Sequence, residues 1–194
     1  SDPKGVVPRD APLVIWNDPI ELDWSAEERE MLEAAPETQR LLESFPAGVH
    51  GRPVGASDQV LMYWTYDCDL LDAPEFPIEP DPFLPEVTLR GMAVLIPGLT
   101  AYLDPMPRPF VDGGYYTKTA DNRPLIGPLT VPGTFVCSAF SGYGIMASCA
   151  AADLLTAHVL GSPRPDYAAA FEVTRFDDPD YVARNSDLTA SGQL

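Results

Sequence analysis

Lysine is almost missing from this chain of 194 residues: Lys4 and Lys118 are its only two, and its arginines are scattered. Set against 29 Asp and Glu, the 12 Lys and Arg leave a formal charge of −17. A field of that sign repels phosphate backbones, and with no concentrated basic patch it argues against nucleic-acid binding. Histidine is as scarce, with only His50 and His158, so a histidine-built metal site would consume nearly all of it. The three cysteines (Cys68, Cys137 and Cys149) are odd in number and have no CxxC spacing. That excludes a disulfide framework and a zinc site, and the thiols are expected to be buried or idle. Long apolar runs are lacking too: none approaches the roughly 20 residues of a membrane span. No basic stretch followed by an apolar core reads as a secretion signal, and the expected location is cytoplasmic.

What is present is the composition of a folded chain, 45% hydrophobic and 21% charged, long enough for one full domain or two small ones. Proline, at 22 residues, is dense between residues 74 and 132, where short elements should alternate with rigid turns. PLVIWN, from Pro12, reads as a strand. Ser25-Ala26-Glu27-Glu28 is a capping-box pattern opening a helix that ends before Pro36. A second helix is expected from Glu37 to Ser44, and a strand from Gln59 to Tyr66. Pro85 suits the first turn of a helix running to Ile96, with Val87, Val94 and Leu95 on one face and Gly98 as its stop. Further on, FVDGGYYTKT reads as a strand, DNRPLIGP as a turn and TFVCSAF as a buried strand. A largely buried helix from Ile145 to Leu160 follows, stopped by Gly161 and Pro163. Phe171, Phe176 and Tyr181 are the expected anchors of an acidic tail.

One segment carries chemistry. Gly142 to Ala147 (GYGIMA) satisfies GxGxxG/A between a strand and a helix, the pattern of a dinucleotide-binding turn. That reading lacks its context, because no second strand ending in Asp or Glu follows about 20 residues on. A nicotinamide-dependent enzyme is disfavoured for the same reason. The physics of the helix start survives: glycines admit a ligand to the backbone, and the amides with the macrodipole favour negative charge there by about 0.3–1 kcal/mol.

Taken together, GGYYTKTADNRPLIGP (Gly113 to Pro128), a strand, and AFSGYGIMAS (Ala139 to Ser148) resemble a known C-terminal signature. It is that of the D-amino-acid oxidase, glycine oxidase and sarcosine oxidase family of FAD-dependent oxidoreductases. The similarity is strong over residues 110 to 165 and weak before them, where it rests on element order and the WNDP…VHGRP…YWTYD texture; FEVTRF (Phe171 to Phe176) also resembles the closing segment of some members. It implies an α+β chain. Residues 1–110 would belong to a substrate-binding domain with a mixed, mainly antiparallel sheet. Residues 111–165 would be the C-terminal return of a Rossmann-like FAD-binding domain, and 166–194 a tail. The resemblance also implies that the helix after AFSGYG points its amino end at the flavin. Phe140, Ser141, Gly142, Tyr143, Gly144, Ile145 and Met146 would then line the ring, and Gly144→Val would push a side chain into it.

The same resemblance sets further expectations. The family's N-terminal GxGxxG strand has no counterpart before residue 142, which implies a second chain carrying that half of the FAD site. Gly114 stands where covalent-flavin members have Cys, so the FAD would be noncovalent. Tyr116 stands at the carboxylate-clamping arginine and Met146 at the carboxylate-holding lysine, leaving Arg52 or a residue of the second chain as a substitute clamp. His50 is a candidate base. Tyr63, Trp64, Tyr66, Tyr115, Tyr116 and Tyr143 would wall a pocket for a bulky or apolar amine. The implied activity is oxidation of an amine or amino acid by hydride transfer to flavin N5; a non-catalytic subunit acting through protein contacts is the alternative.

Overall fold

Strands in this chain run for only two to four residues, and among the described residues every pairing is antiparallel. The computed structural model describes residues 1–185. It divides into one unit over Ser1–Gly114 and a second beginning at Tyr115.

In the first unit, β1 (Val14–Ile15), β4 (His50–Pro53) and β5 (Val60–Tyr63) form a three-stranded sheet in the order β1-β4-β5. A second ladder pairs β2 (Ile20–Glu21) with β3 (Ser44–Phe45). Helix α1 (Ala26–Ala34) starts at the capping box: the Ser25 hydroxyl accepts from the Glu28 amide, and the Glu28 carboxylate accepts from the Ser25 amide at 2.7 Å. Helix α2 (Leu84–Leu95) carries Pro85 in its first turn. It ends at Leu95, before Pro97 rather than at Gly98, because Pro97 opens a 3-10 turn over Pro97–Tyr102.

Two glycines set how closely this unit packs. A Cβ on Gly51 would stand 2.8 Å from the Leu61 carbonyl oxygen and 3.0 Å from the Met92 methyl, so glycine is what lets β4 come this close to the β5 backbone beneath Met92. A Cβ on Gly91 would stand 2.4 Å from the Trp64 ring. The core between them holds Leu41, Val49, Val87, Met92 and Leu99. Arg90, also buried, lies 3.9 Å over the Trp24 ring and pairs with Glu28 at 2.5 Å and Glu86 at 2.8 Å. The capping glutamate therefore also ties α1 to α2.

The second unit opens with β6 (Leu125–Pro128) and β7 (Phe135–Ser138), a two-stranded ladder, followed by α3 (Gly144–Leu160). Gly161, at φ 64°, closes α3 in the left-handed conformation. Two 3-10 turns (Asp166–Phe171 and Val173–Asp177) and α4 (Pro179–Asn185) complete it. Its core is small: Ile126, Ala151, Leu154 and Ala168, with Phe140, Leu155 and Phe171 packed against them. Phe171 anchors the closing segment there, Phe176 lies 4.3 Å under the Arg175 guanidinium, and the Tyr181 hydroxyl bonds to Asp121. Residues 186–194 of the expected tail lie outside the described residues.

Several expectations are corrected. The helix over 37–44 shrinks to a 3-10 turn at Gln39–Leu42, because Ser44 and Phe45 are drawn into the ladder with β2. Val94 is 41% exposed, while the buried face of α2 runs from Val87 to Met92. Residues 111–119 form no strand; next to Gly113-Gly114 they find no ladder partner among the described residues. Leu125–Pro128, read as part of a turn, is a strand. The sheets among the described residues are antiparallel throughout rather than mixed. β7 is largely exposed because β6 covers one edge only, and α3 buries just Ala151, Leu154 and His158. All three cysteines are exposed.

Gly91→Ala should invert the usual effect of replacing a helical glycine. Helix propensity favours alanine by about 0.8–1 kcal/mol, but overpacking against Trp64 costs about 1–3 kcal/mol. A net loss in urea unfolding followed by tryptophan fluorescence is the expected result.

Candidate functional site

The turn into α3 is bent in an uncommon way. Ala139 and Ser141, neither a glycine, have φ of 61° and 50° and flank Phe140. Backbone of that kind costs about 1–3 kcal/mol per residue and persists only where its surroundings over-determine it. Here the Ser141 amide donates to the Thr117 carbonyl at 3.2 Å and the Tyr143 amide to the Phe140 carbonyl at 3.1 Å. The first intrahelical bond runs from the Ala147 amide to the Tyr143 carbonyl, so the Gly144, Ile145 and Met146 amides point out of the helix's open end. Tyr143, at the N-cap, makes no side-chain bond to that end, and no acidic residue lies in its first turn. Ile145 is 96% exposed and Met146 81% exposed. The end of α3 is thus an electropositive tip flanked by two bare apolar side chains.

The other predicted ring-facing residues divide. Phe140 packs into the second unit's small core, and a Cβ on Gly144 would meet the Phe140 Cβ at 3.2 Å. A valine at 144 would therefore strike Phe140, which changes the reason for the expected effect of Gly144→Val. Tyr143 occupies the N-cap position and turns its hydroxyl back to donate to the Asn122 carbonyl at 3.0 Å. Tyr116 lies on irregular chain, 42% exposed.

His50 and Arg52 alternate with Gly51 and Pro53, which are buried, and so share the outer face of β4 with Tyr63 of β5. The His50 ring stacks on Tyr63, with centroids 5.2 Å apart and planes 19° off parallel. His50 Nδ1 lies 2.8 Å from the Gly48 carbonyl oxygen. A carbonyl only accepts, so Nδ1 carries the proton and Nε2 presents its lone pair, the tautomer a base requires. Arg52 donates to the Pro53 carbonyl at 3.2 Å and is otherwise directed at solvent. The aromatic wall does not hold together. Trp64 faces inward beside Phe45, its indole donating to the Pro46 carbonyl, and Tyr66 turns to Asp81 at 2.9 Å. Strand alternation leaves Tyr63 alone on the outer face.

Sequence reasoning missed the Asp121 cluster. The Asp121 side chain is fully buried and accepts from Arg175 Nε at 2.7 Å, Arg175 Nη2 at 3.0 Å, Tyr181 at 2.6 Å, Thr119 at 2.7 Å and the Arg123 amide at 3.1 Å. Burial alone would push its carboxyl up; the donors from Arg175, Tyr181, Thr119 and Arg123 outweigh that and hold it well below the usual carboxylate range. Asp121 and Arg175 are 54 residues apart, and no local pattern announces the pair.

These residues fit the pyrimidine end of a flavin: an open helix tip for the negative charge of the reduced ring, with exposed Ile145 and Met146 to flank it. They supply no second glycine-rich turn for the adenosine diphosphate end. Among the described residues, no group of three His, Cys, Asp or Glu is placed to hold a metal, and no helix is long and apolar enough to cross a membrane.

Asp121→Asn should destabilise the second unit by about 3–5 kcal/mol, since it strands the Arg175 charge. The sign with pH follows from the lowered carboxyl. The stabilisation is complete above the ordinary aspartate value of about 3.9 and is lost as pH falls toward the folded value. Far-UV circular dichroism during acid titration should show cooperative loss in the native chain and little pH dependence over that window in the variant. Compared with known protein families, curated proteins and solved structures, the chain has no match.

Proposed function

We propose that this chain is the C-terminal portion of an FAD-dependent oxidoreductase acting on the C–N bond of an amine or amino acid. The observation that carries this reading is the uncapped, exposed amino end of α3, reached through a turn with two left-handed non-glycine residues. Bound there noncovalently, FAD would supply the acceptor for the hydride that leaves the carbon bearing nitrogen. The amides of Gly144, Ile145 and Met146 stabilise negative charge at the pyrimidine ring, a preorganised electrostatic contribution. In the first unit, His50 Nε2 is the candidate base and the Arg52 guanidinium the candidate clamp for a carboxylate.

The adenosine diphosphate end of FAD is held by polypeptide outside residues 1–194. Two features support such a partner. Among the described residues, β7 pairs along one edge only, and α3 leaves Ile145, Met146, Val159 and Leu160 exposed. A helix apolar on all sides is ordinarily covered on most of them. The same surface also suits the second reading, a non-catalytic subunit that acts through protein contacts alone.

A visible spectrum of the natively isolated material, with mass spectrometry of its polypeptides, separates the two. The oxidoreductase reading expects a flavin absorption band and a companion polypeptide; a colourless assembly overturns it. Met146→Asp gives an independent check with opposite signs. A carboxylate in the first turn of α3 should raise the isolated chain's stability by about 0.3–1 kcal/mol. In the complete assembly the same charge should lower flavin retention by repelling the anionic ring.

A further inference from the structure

We propose that Tyr63 and Gly48 are positioning residues: between them they fix the plane, the edge and the tautomer of the His50 imidazole, so that Nε2 is held outward as a proton acceptor. The proposal rests on the reading of His50 as the base and lies wholly within the first unit. An imidazole offers a base at one place only when three freedoms are removed: the tilt of its plane, the choice between its two edges, and the choice of nitrogen that carries the proton.

The ladder removes the first. His50 and Tyr63 are direct partners across β4 and β5, so their side chains leave the outer face side by side. Their rings stack with centroids 5.2 Å apart and planes 19° off parallel. A stack is indifferent to the two edges, because a half-turn of the ring about its bond to Cβ returns the same plane. The Gly48 carbonyl removes that ambiguity and the third freedom with it. It lies 2.8 Å from Nδ1, and since a carbonyl only accepts, it selects one edge and one tautomer together. Among the described residues, no group hydrogen-bonds to Nε2.

The carbonyl is itself a fixed point. The Gly48 amide donates to the Trp16 carbonyl at 2.7 Å and the Trp16 amide to the Val49 carbonyl at 2.9 Å, carrying the β1–β4 pairing one step beyond Ile15 and His50. Gly48 has φ 105°, a conformation in which any side chain would be strained. A general base works when its lone pair, rather than an N–H or a C–H edge, meets the proton, and when the group is held to about 0.5 Å by neighbours that are themselves locked. The stack and the carbonyl meet those two requirements on a strand face that is otherwise open.

The test is a long-range proton–nitrogen correlation spectrum of the full chain at about pH 9, where histidine rings are neutral. The chain has only two histidines, so His50→Gln identifies the His50 signals. The native chain should show the proton on Nδ1. Tyr63→Leu removes the ring from a half-exposed position and should shift the tautomer ratio toward protonated Nε2 by about two- to tenfold. Tyr63→Phe, which keeps the ring, should retain the native tautomer. In the complete assembly Tyr63→Leu should lower kcat with little change in KM. A purely structural role would lower the melting temperature and leave the tautomer ratio where it was. Mixed tautomers in the native chain, or a ratio unmoved by Tyr63→Leu, overturn the positioning role alone. An assembly that oxidises its amine as fast with His50→Gln as without it overturns the reading of His50 as the base, and this proposal with it.

Discussion

A single buried carboxylate organises the second unit. Its apolar core amounts to Ile126, Ala151, Leu154 and Ala168, too little to fix the path of two 3-10 turns and a strained bend. Asp121 does that work by collecting donors from three separate stretches of chain: the loop around Thr119 and Arg123, the turn at Arg175 and the helix at Tyr181. A charge taken out of water is tolerated only when its lone pairs are satisfied and its counter-charge is hydrogen-bonded as well. Both conditions hold, since Arg175 also donates to the Glu172 and Arg123 carbonyls. Directional bonds fix angles in a way that a handful of alanine contacts does not.

The first unit relies on close packing instead. Gly51 and Gly91 let backbone and indole approach α2 at distances no side chain would permit. Arg90 then gathers α1, α2 and Trp24 around one guanidinium. That scaffold gives the outer face of β4 and β5 its rigidity, and with it the stacked His50–Tyr63 pair and the exposed Arg52. One unit is held by shape and the other by charge.

Much of this was legible in the residues. The capping box at Ser25 and Glu28, the start of α2 at Pro85 and the close of α3 at Gly161 rest on local rules, and each is found where those rules put it. The open end of α3 was legible for the same reason. Strandedness and burial were not, because they depend on partners. Residues 111–119 have strand composition but join no ladder among the described residues, and TFVCSAF has core composition but stays largely exposed beside β6 and α3. Alternation on β5 separated Tyr63 from Trp64, which composition alone had grouped as one pocket wall. The Asp121–Arg175 pair joins residues 54 apart, a distance over which a single sequence carries no signal.

The bare flank of α3 and the open border of β7 also bear on how copies of this chain meet one another. A ladder edge carrying Phe135 next to an uncovered apolar rod is the combination that drives like molecules to stick together. Its high negative charge opposes that attraction at low ionic strength and does so less as salt screens it. Self-association through that surface should therefore strengthen as ionic strength rises.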